Sequence, residues 1–172
     1  MIRQGLNISS FRGTYAIEKQ NYFIRYLLFF SLLFWCAGFF LPAFSLEFTG
    51  ISFIHFAVKS IYSTVCNQSN TATFSVNDHL LFVCARCTGL YLGAFTAAVF
   101  SFFIKNKVDL SLKPLIIFSL PMLIDALSVR LNIYDYSKIV AFITGILCGS
   151  IIFIYILEVL ENSLTSIYKK RI

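Results

Sequence analysis

Apolar residues along this chain gather into four long runs separated by polar stretches. A helix needs about 20 predominantly apolar residues to cross the hydrocarbon core of a bilayer. Residues 24–45, 85–104, 114–133 and 139–160 each reach that length. Arg25 interrupts the first only at its edge, and the third holds Pro121 and Asp125. The pattern predicts an all-α integral membrane protein with four transmembrane helices, residues 1–172 forming a single membrane domain. Between the first two runs lies a loop of 34 residues, 46–79, long for a structureless connection. Its 48–62 part is apolar but broken by His55 and Lys59, so it reads as an interfacial or re-entrant helix. Residues 66–78 are polar and read as an ordered loop that delivers Cys66 toward residues 84–87.

Cations set the orientation, because Lys and Arg concentrate on the cytoplasmic side. Arg3, Arg12, Lys19 and Arg25 precede the first span. Lys105, Lys107 and Lys113 lie between the second and third, and Lys169, Lys170 and Arg171 close the chain. With four spans these share one side, and only Lys59, Arg130 and Lys138 face the other. Both termini are therefore expected in the cytoplasm, and the 46–79 segment outside. The first apolar run is long enough to span, and the polar residues before it do not read as a cleavable signal.

Composition agrees with a bilayer as the solvent. Of the 172 residues, 58% are hydrophobic and 13% charged, against about 25% charged in ordinary soluble proteins. The net charge of +6 is carried between and beyond the apolar runs. No basic stripe is interleaved with exposed aromatics, which argues against a nucleic-acid partner. The expected surroundings are lipid, with a homo-oligomer or other membrane subunits as further partners. No nucleophile triad, paired catalytic carboxylates or phosphate loop is visible, so the pattern does not point to an enzyme.

The candidate chemistry starts at Cys84-Ala85-Arg86-Cys87-Thr88-Gly89, where two thiols and a guanidinium open the second apolar run. Helical spacing puts Cys84, Cys87, Thr88 and Tyr91 on one face and Arg86, Gly89 and Gly93 on another. Gly89-x-x-x-Gly93 allows close approach of a second helix, and Gly145 and Gly149 offer the same on the fourth span. Asp125, Ser128 and Asn132 form a polar stripe on the third span, and Thr144 lies on a small, polar face of the fourth. Lipid disfavours such groups, so Arg86, Asp125, Ser128 and Thr144 are expected in the bundle interior. Arg86 and Asp125 are the obvious ion pair. Counted along the helices they differ in depth by roughly 10 Å if the third span begins at Pro114, so pairing needs an earlier start or a tilt.

These residues resemble the bacterial membrane-protein family called domain of unknown function 2085. That family carries a Cys-His-Gln segment, a Ser-Phe pair, Cys-x-Arg-Cys-Thr-Gly-x-Tyr-x-Gly, a membrane-helix Asp and a Thr-Gly-x-x-x-Gly helix. Cys66, Gln68 and Phe74 match the first part; Cys84, Arg86, Cys87, Thr88, Gly89, Tyr91 and Gly93 match the central block; Asp125, Thr144, Gly145 and Gly149 match the rest. The family's His is Asn67 here, the Arg it carries two residues before the Phe is Ala72, and its Ser is Thr73. The resemblance implies a small multi-pass protein of the bacterial cytoplasmic (inner) membrane and brings no established activity.

Three kinds of site fit these residues. Cys66, Cys84 and Cys87 follow a Cys-x17-Cys-x2-Cys spacing suited to a metal such as zinc, with His79 the nearest fourth ligand and Asp78 and His55 weaker ones. The same cysteines on an oxidising face could form a stapling disulfide, or serve a quinone-linked thiol–disulfide oxidoreductase. Such an oxidoreductase normally carries a second external Cys pair, whereas Cys36 and Cys148 lie within other spans. The polar interior around Arg86 and Asp125 fits, third, a subunit of a membrane transporter or small-ligand binding protein. Against the metal reading stands the plain one of free cysteines as small buried apolar groups, and against the last a satisfied structural ion pair.

Overall fold

The computed structural model describes residues 8–41, 52–66, 68–76, 79–103 and 112–171, with side chains from 22 on the first helix and from 56 on the second. The chain forms α1 (Ile8–Phe40), α2 (Ser52–Ser63), β1 (Thr73–Val76), β2 (His79–Cys84), α3 (Ala85–Ser101), α4 (Leu112–Arg130) and α5 (Lys138–Arg171). Among the described residues, three helices are long and apolar enough to cross a membrane, over Tyr22–Phe40, Leu112–Arg130 and Lys138–Leu164. The second expected span, 85–104, falls on α3, a helix of 17 residues that is shorter than these three.

Helix ends follow local chemistry. α1 stops just ahead of Pro42, whose ring disfavours helical backbone in the residue before it. Pro114 sits in the first turn of α4, where a missing N–H removes no intrahelical bond. The helix also continues through Pro121. At its other end Asn132 takes a left-handed backbone, φ 53. Ile133 N donates to Ser128 O at 2.9 Å and Asn132 N to Val129 O at 3.2 Å, which closes the last turn in a Schellman cap. Asn132, expected on a polar helical stripe, is therefore a helix terminator.

The stretch expected as a polar loop leading into a helix is instead a β-hairpin. β1 and β2 pair antiparallel, Thr73 opposite Cys84, Ser75 opposite Leu80 and Val76 opposite His79, with an irregularity between Thr73 and Ser75. Leu81, Phe82 and Val83 of β2 are buried. Phe82 and Val83 join Cys36, Phe39, Tyr62 and Cys66 in a core that seats the hairpin and α2 on α1 and α3. Tyr62 Oη donates to Trp35 O at 2.5 Å and ties α2 to α1.

α5 packs most extensively on α3. The two run in the same direction, since Gly89 faces Phe142 and Gly93 faces Ile146. A Cβ added at Gly89 would lie 2.2 Å from Phe142 O, and one at Gly149 would lie 2.0 Å from Leu90 O. The helix backbones are thus in contact, with no room for a side chain. Further along, Ala94, Ala97 and Ala98 meet Ile24, Phe153 and Leu157. At that end Arg25 Nε lies 2.7 Å from Glu161 Oε1, and Arg25 also donates to Ser101 O, so α1, α3 and α5 share one polar clasp. α4 packs on α5 and leaves Ile116, Ile117, Leu123, Ile124 and Leu127 exposed, an apolar surface suited to lipid.

Candidate metal centre

Three structural elements deliver three sulfurs to one point. Cys66 follows α2, Cys84 ends β2, and Cys87 lies in the first turn of α3. Their Sγ atoms all lie within 4.8 Å of one another. All five cysteines of the chain are free thiols. Cys66 is buried, and Cys84 and Cys87 are partly exposed.

The backbone explains the convergence. Cys66 N closes the last turn of α2 on Tyr62 O at 3.0 Å. Ala85 N donates to Ala72 O at 2.8 Å, which carries the hairpin pairing one step into α3. Cys84 N then donates to the Cys66 sulfur, 3.2 Å away, which ties the end of β2 to the residue that follows α2. Cys84 has extended backbone (φ −68, ψ 162) and caps α3, while its carbonyl accepts Thr88 Oγ1 at 3.0 Å.

The Cys84 thiol is held well below the ordinary thiol range, chiefly by a hydrogen bond from the Cys87 thiol. Burial opposes that shift; the Cys66 thiol and the backbone N–H groups of Cys87 and Arg86 reinforce it, although no capping hydrogen bond of regular geometry closes. A helix N-terminus next to a thiol acts in the same direction.

Arg86, between the two α3 cysteines, turns to α4. Its Nη2 lies 2.5 Å from Asp125 Oδ2, and the Asp125 side chain is only 3% exposed. α4 begins at Leu112, earlier than Pro114, which helps bring the pair to one depth. Tyr134 Oη donates to Asp125 Oδ1, and the Arg86 guanidinium sits over the Tyr136 ring, 5.8 Å from its centroid. Burial, and then charge on Cys84, raise the pKa of the Tyr136 hydroxyl above its ordinary value, with Arg86 opposing. Arg86 Nε is buried and, among the described residues, has no hydrogen-bond partner.

Other sequence candidates lie elsewhere. His79 begins β2 at the far end of the hairpin from Cys84 and is exposed. Five residues of strand, at about 3.3 Å each, put it roughly 16 Å along the chain from Cys84. Among the described residues, no His, Asp or Glu joins the three thiols. Asp78 and Asn67 lie outside the described residues, as does the side chain of His55. Thr144 Oγ1 bonds back to Val140 O and Ala141 O of its own helix. Ser128 contributes its carbonyl to the α4 cap. Tyr134 and Tyr136, which follow Asn132 beyond the end of α4, both meet the Arg86–Asp125 pair. Only their place shortly after Asp125, next to a turn-forming Asn, hinted at it.

A family model described as a predicted membrane protein, DUF2085, matches residues 66–155, a range that holds all three thiols, Arg86 and Asp125. The chain belongs to this family. An uncharacterised protein of Methanocaldococcus jannaschii is 31% identical over 121 residues, covering 69% of this chain and 76% of the relative. An uncharacterised protein of Methanothermobacter thermautotrophicus is 33% identical over 86 residues, covering 49% of this chain and 78% of the relative. Both are archaeal, so membership in DUF2085 does not by itself place this chain in a bacterial inner membrane. No solved structure matches. This DUF2085 chain is thus a membrane protein with three apolar helices and a cysteine cluster able to hold a metal.

Proposed function

We propose that this protein carries a thiolate metal site at the extracytoplasmic end of a four-helix membrane bundle. The observation that carries this reading is the meeting of three sulfurs from α2, β2 and α3 within 4.8 Å. Thiolates are the preferred donors for soft and borderline ions, zinc among them. Three protein sulfurs leave a fourth position of a tetrahedral ion for a further ligand. In this reading the ion pins the α2 segment and the hairpin to the start of α3, where the helix N-terminus helps hold negative charge.

The four-span reading rests on α3. Its 17 residues rise about 26 Å, close to the ~30 Å of a hydrocarbon core, and it lies along α5, one of the long apolar helices. α1, α3, α4 and α5 then cross the bilayer in turn. The thiol end faces outward and the Arg25–Glu161 clasp faces the cytoplasm, together with both termini. Of the cations expected inside, Arg25 sits in that clasp. Arg3, Lys105 and Lys107 lie outside the described residues, as do the side chains of Arg12, Lys19, Lys169, Lys170 and Arg171.

Cadmium is a spectroscopic substitute for zinc. Titrating the reduced, detergent-solubilised protein is expected to give a sulfur-to-metal charge-transfer band saturating at one ion per chain. Its intensity should fall in each of Cys66→Ser, Cys84→Ser and Cys87→Ser and persist in Cys148→Ser. A band unaffected by the first three changes would place the metal elsewhere. A second reading, thiol–disulfide exchange, draws on the low Cys84 pKa; a disulfide among these cysteines in unreduced protein would favour it over the metal.

A further inference from the structure

We propose that Lys138 is a positioning residue for the three-thiol cluster, a clamp from α5 that holds the β-hairpin so that Cys84 meets Cys66. This rests on reading the cluster as the functional site. Lys138 is the first residue of α5. A cation there is unfavourable, because a helix N-terminus carries partial positive charge. A residue that opposes its own helix needs a compensating contact, and Lys138 has one. Its Nζ donates to Thr73 O at 2.8 Å. Thr73 is 1% exposed and stands opposite Cys84 in the hairpin. Its hydroxyl donates to Ser69 O at 2.7 Å, which links the clamp to the segment that follows Cys66.

The clamp therefore acts on the strand that neighbours Cys84, not on a sulfur. One helix turn later, the Phe142 ring meets Phe74 edge-on at 5.7 Å, a second contact between α5 and the hairpin. The Phe contact is apolar and tolerates sliding; the ammonium fixes a particular carbonyl. Without it, Thr73 O loses a charged donor in a buried setting, and the Thr73–Cys84 end of the hairpin loses its tie to α5. A hydrogen bond to a charged group is worth enough to change a local equilibrium about tenfold.

The test measures sulfur juxtaposition without any metal. In a Cys87→Ser background, diamide oxidises neighbouring thiols: Cys66 and Cys84 lose two electrons and two protons, the S–S bond forms, and diamide is reduced to its hydrazine. The cross-link is located by peptide mapping. Adding Lys138→Met is expected to slow Cys66–Cys84 cross-linking about tenfold, and Lys138→Arg to restore most of the rate. Arg25→Met, at the opposite end of the bundle, serves as a control that perturbs packing and should leave the rate unchanged. Equal rates with and without the Lys138→Met change would overturn the clamp. So would an equal slowing by Arg25→Met, which would mark general loosening. Cadmium affinity of the single variant Lys138→Met, read separately, should fall by a similar factor. If the parent protein binds no metal, the metal reading fails, and the cross-linking rate still decides the clamp.

Discussion

Asp125→Ala is expected to destabilise the protein by about 3–5 kcal/mol, the usual effect of removing one partner from a buried ion pair. The loss arises mainly from what is left behind. Arg86 would keep its charge where its Nε already lacks a partner among the described residues, and Tyr134 would lose its acceptor. Arg86→Ala alone should also destabilise, leaving Asp125 with the Tyr134 hydroxyl as its remaining partner among the described residues. The two changes together should cost well under the sum of the singles, because the second removes the charge that the first exposed. Thermal unfolding of the four proteins in one detergent measures this cycle, and simple additivity would count against the pair as a bonded unit. Part of the Arg86→Ala effect comes from lost contact with the Tyr136 ring. Arg86→Lys should rescue incompletely, since an ammonium does not present the planar fork of a guanidinium.

Gly149→Val is expected to be at least as damaging, about 3 kcal/mol or more, at or beyond the upper end of overpacking costs. A Cβ at Gly149 would sit 2.0 Å from Leu90 O and 2.8 Å from Leu90 C, and helix backbone has no rotamer by which to move aside. The same holds at Gly93, where the nearest atom is Ile146 O at 2.3 Å, and at Gly145, which meets Arg86 O at 2.5 Å. α3 and α5 would have to separate along their whole contact. In lipid, van der Waals contact at such small-residue interfaces is a main source of association, so widening them forfeits much of it. Even Gly149→Ala should lower the unfolding midpoint. Gly38→Ala should be milder, because the close atom is the hydroxyl end of a Tyr62 side chain, although moving it disturbs the bond to Trp35 O. Equal midpoints for wild type and Gly149→Ala would contradict the backbone contact.

How much of this was legible in the sequence differs from element to element. Apolar runs marked where α1, α4 and α5 are hydrophobic but not where they end. α1 begins at Ile8 and α5 continues to Arg171, because backbone hydrogen bonding carries a helix past the apolar stretch that reveals it. The end of α4 was set by Asn132 and its left-handed backbone, a turn signal that also fitted a polar stripe. The hairpin escaped notice for a physical reason. His79–Cys84 is a six-residue strand with three consecutive buried residues, and a short continuous apolar run does not distinguish strand from helix.

That one miss moved His79. Read as leading into a helix, it seemed near enough to complete a ligand set; on an extended strand it lies at the other end of the hairpin. The sulfurs were readable because Cys-x2-Cys at a helix start forces two of them together whatever precedes them. Arg86 and Asp125 could be paired in the sequence as the charges most costly to leave alone in a bilayer, while the depth count hinged on where the third span begins. Tyr134, Tyr136 and Lys138 could not be found that way. They reach the site through the turn between α4 and α5, and nothing in the local pattern reveals where that turn folds back.

The most direct measurement is metal content together with free-thiol count on protein purified without reductant or chelator, wild type beside Cys84→Ser. The metal-site account predicts about one thiophilic ion per wild-type chain, no disulfide among Cys66, Cys84 and Cys87, and loss of the ion in the variant. A metal-free wild-type protein with a disulfide between two of those cysteines would contradict it.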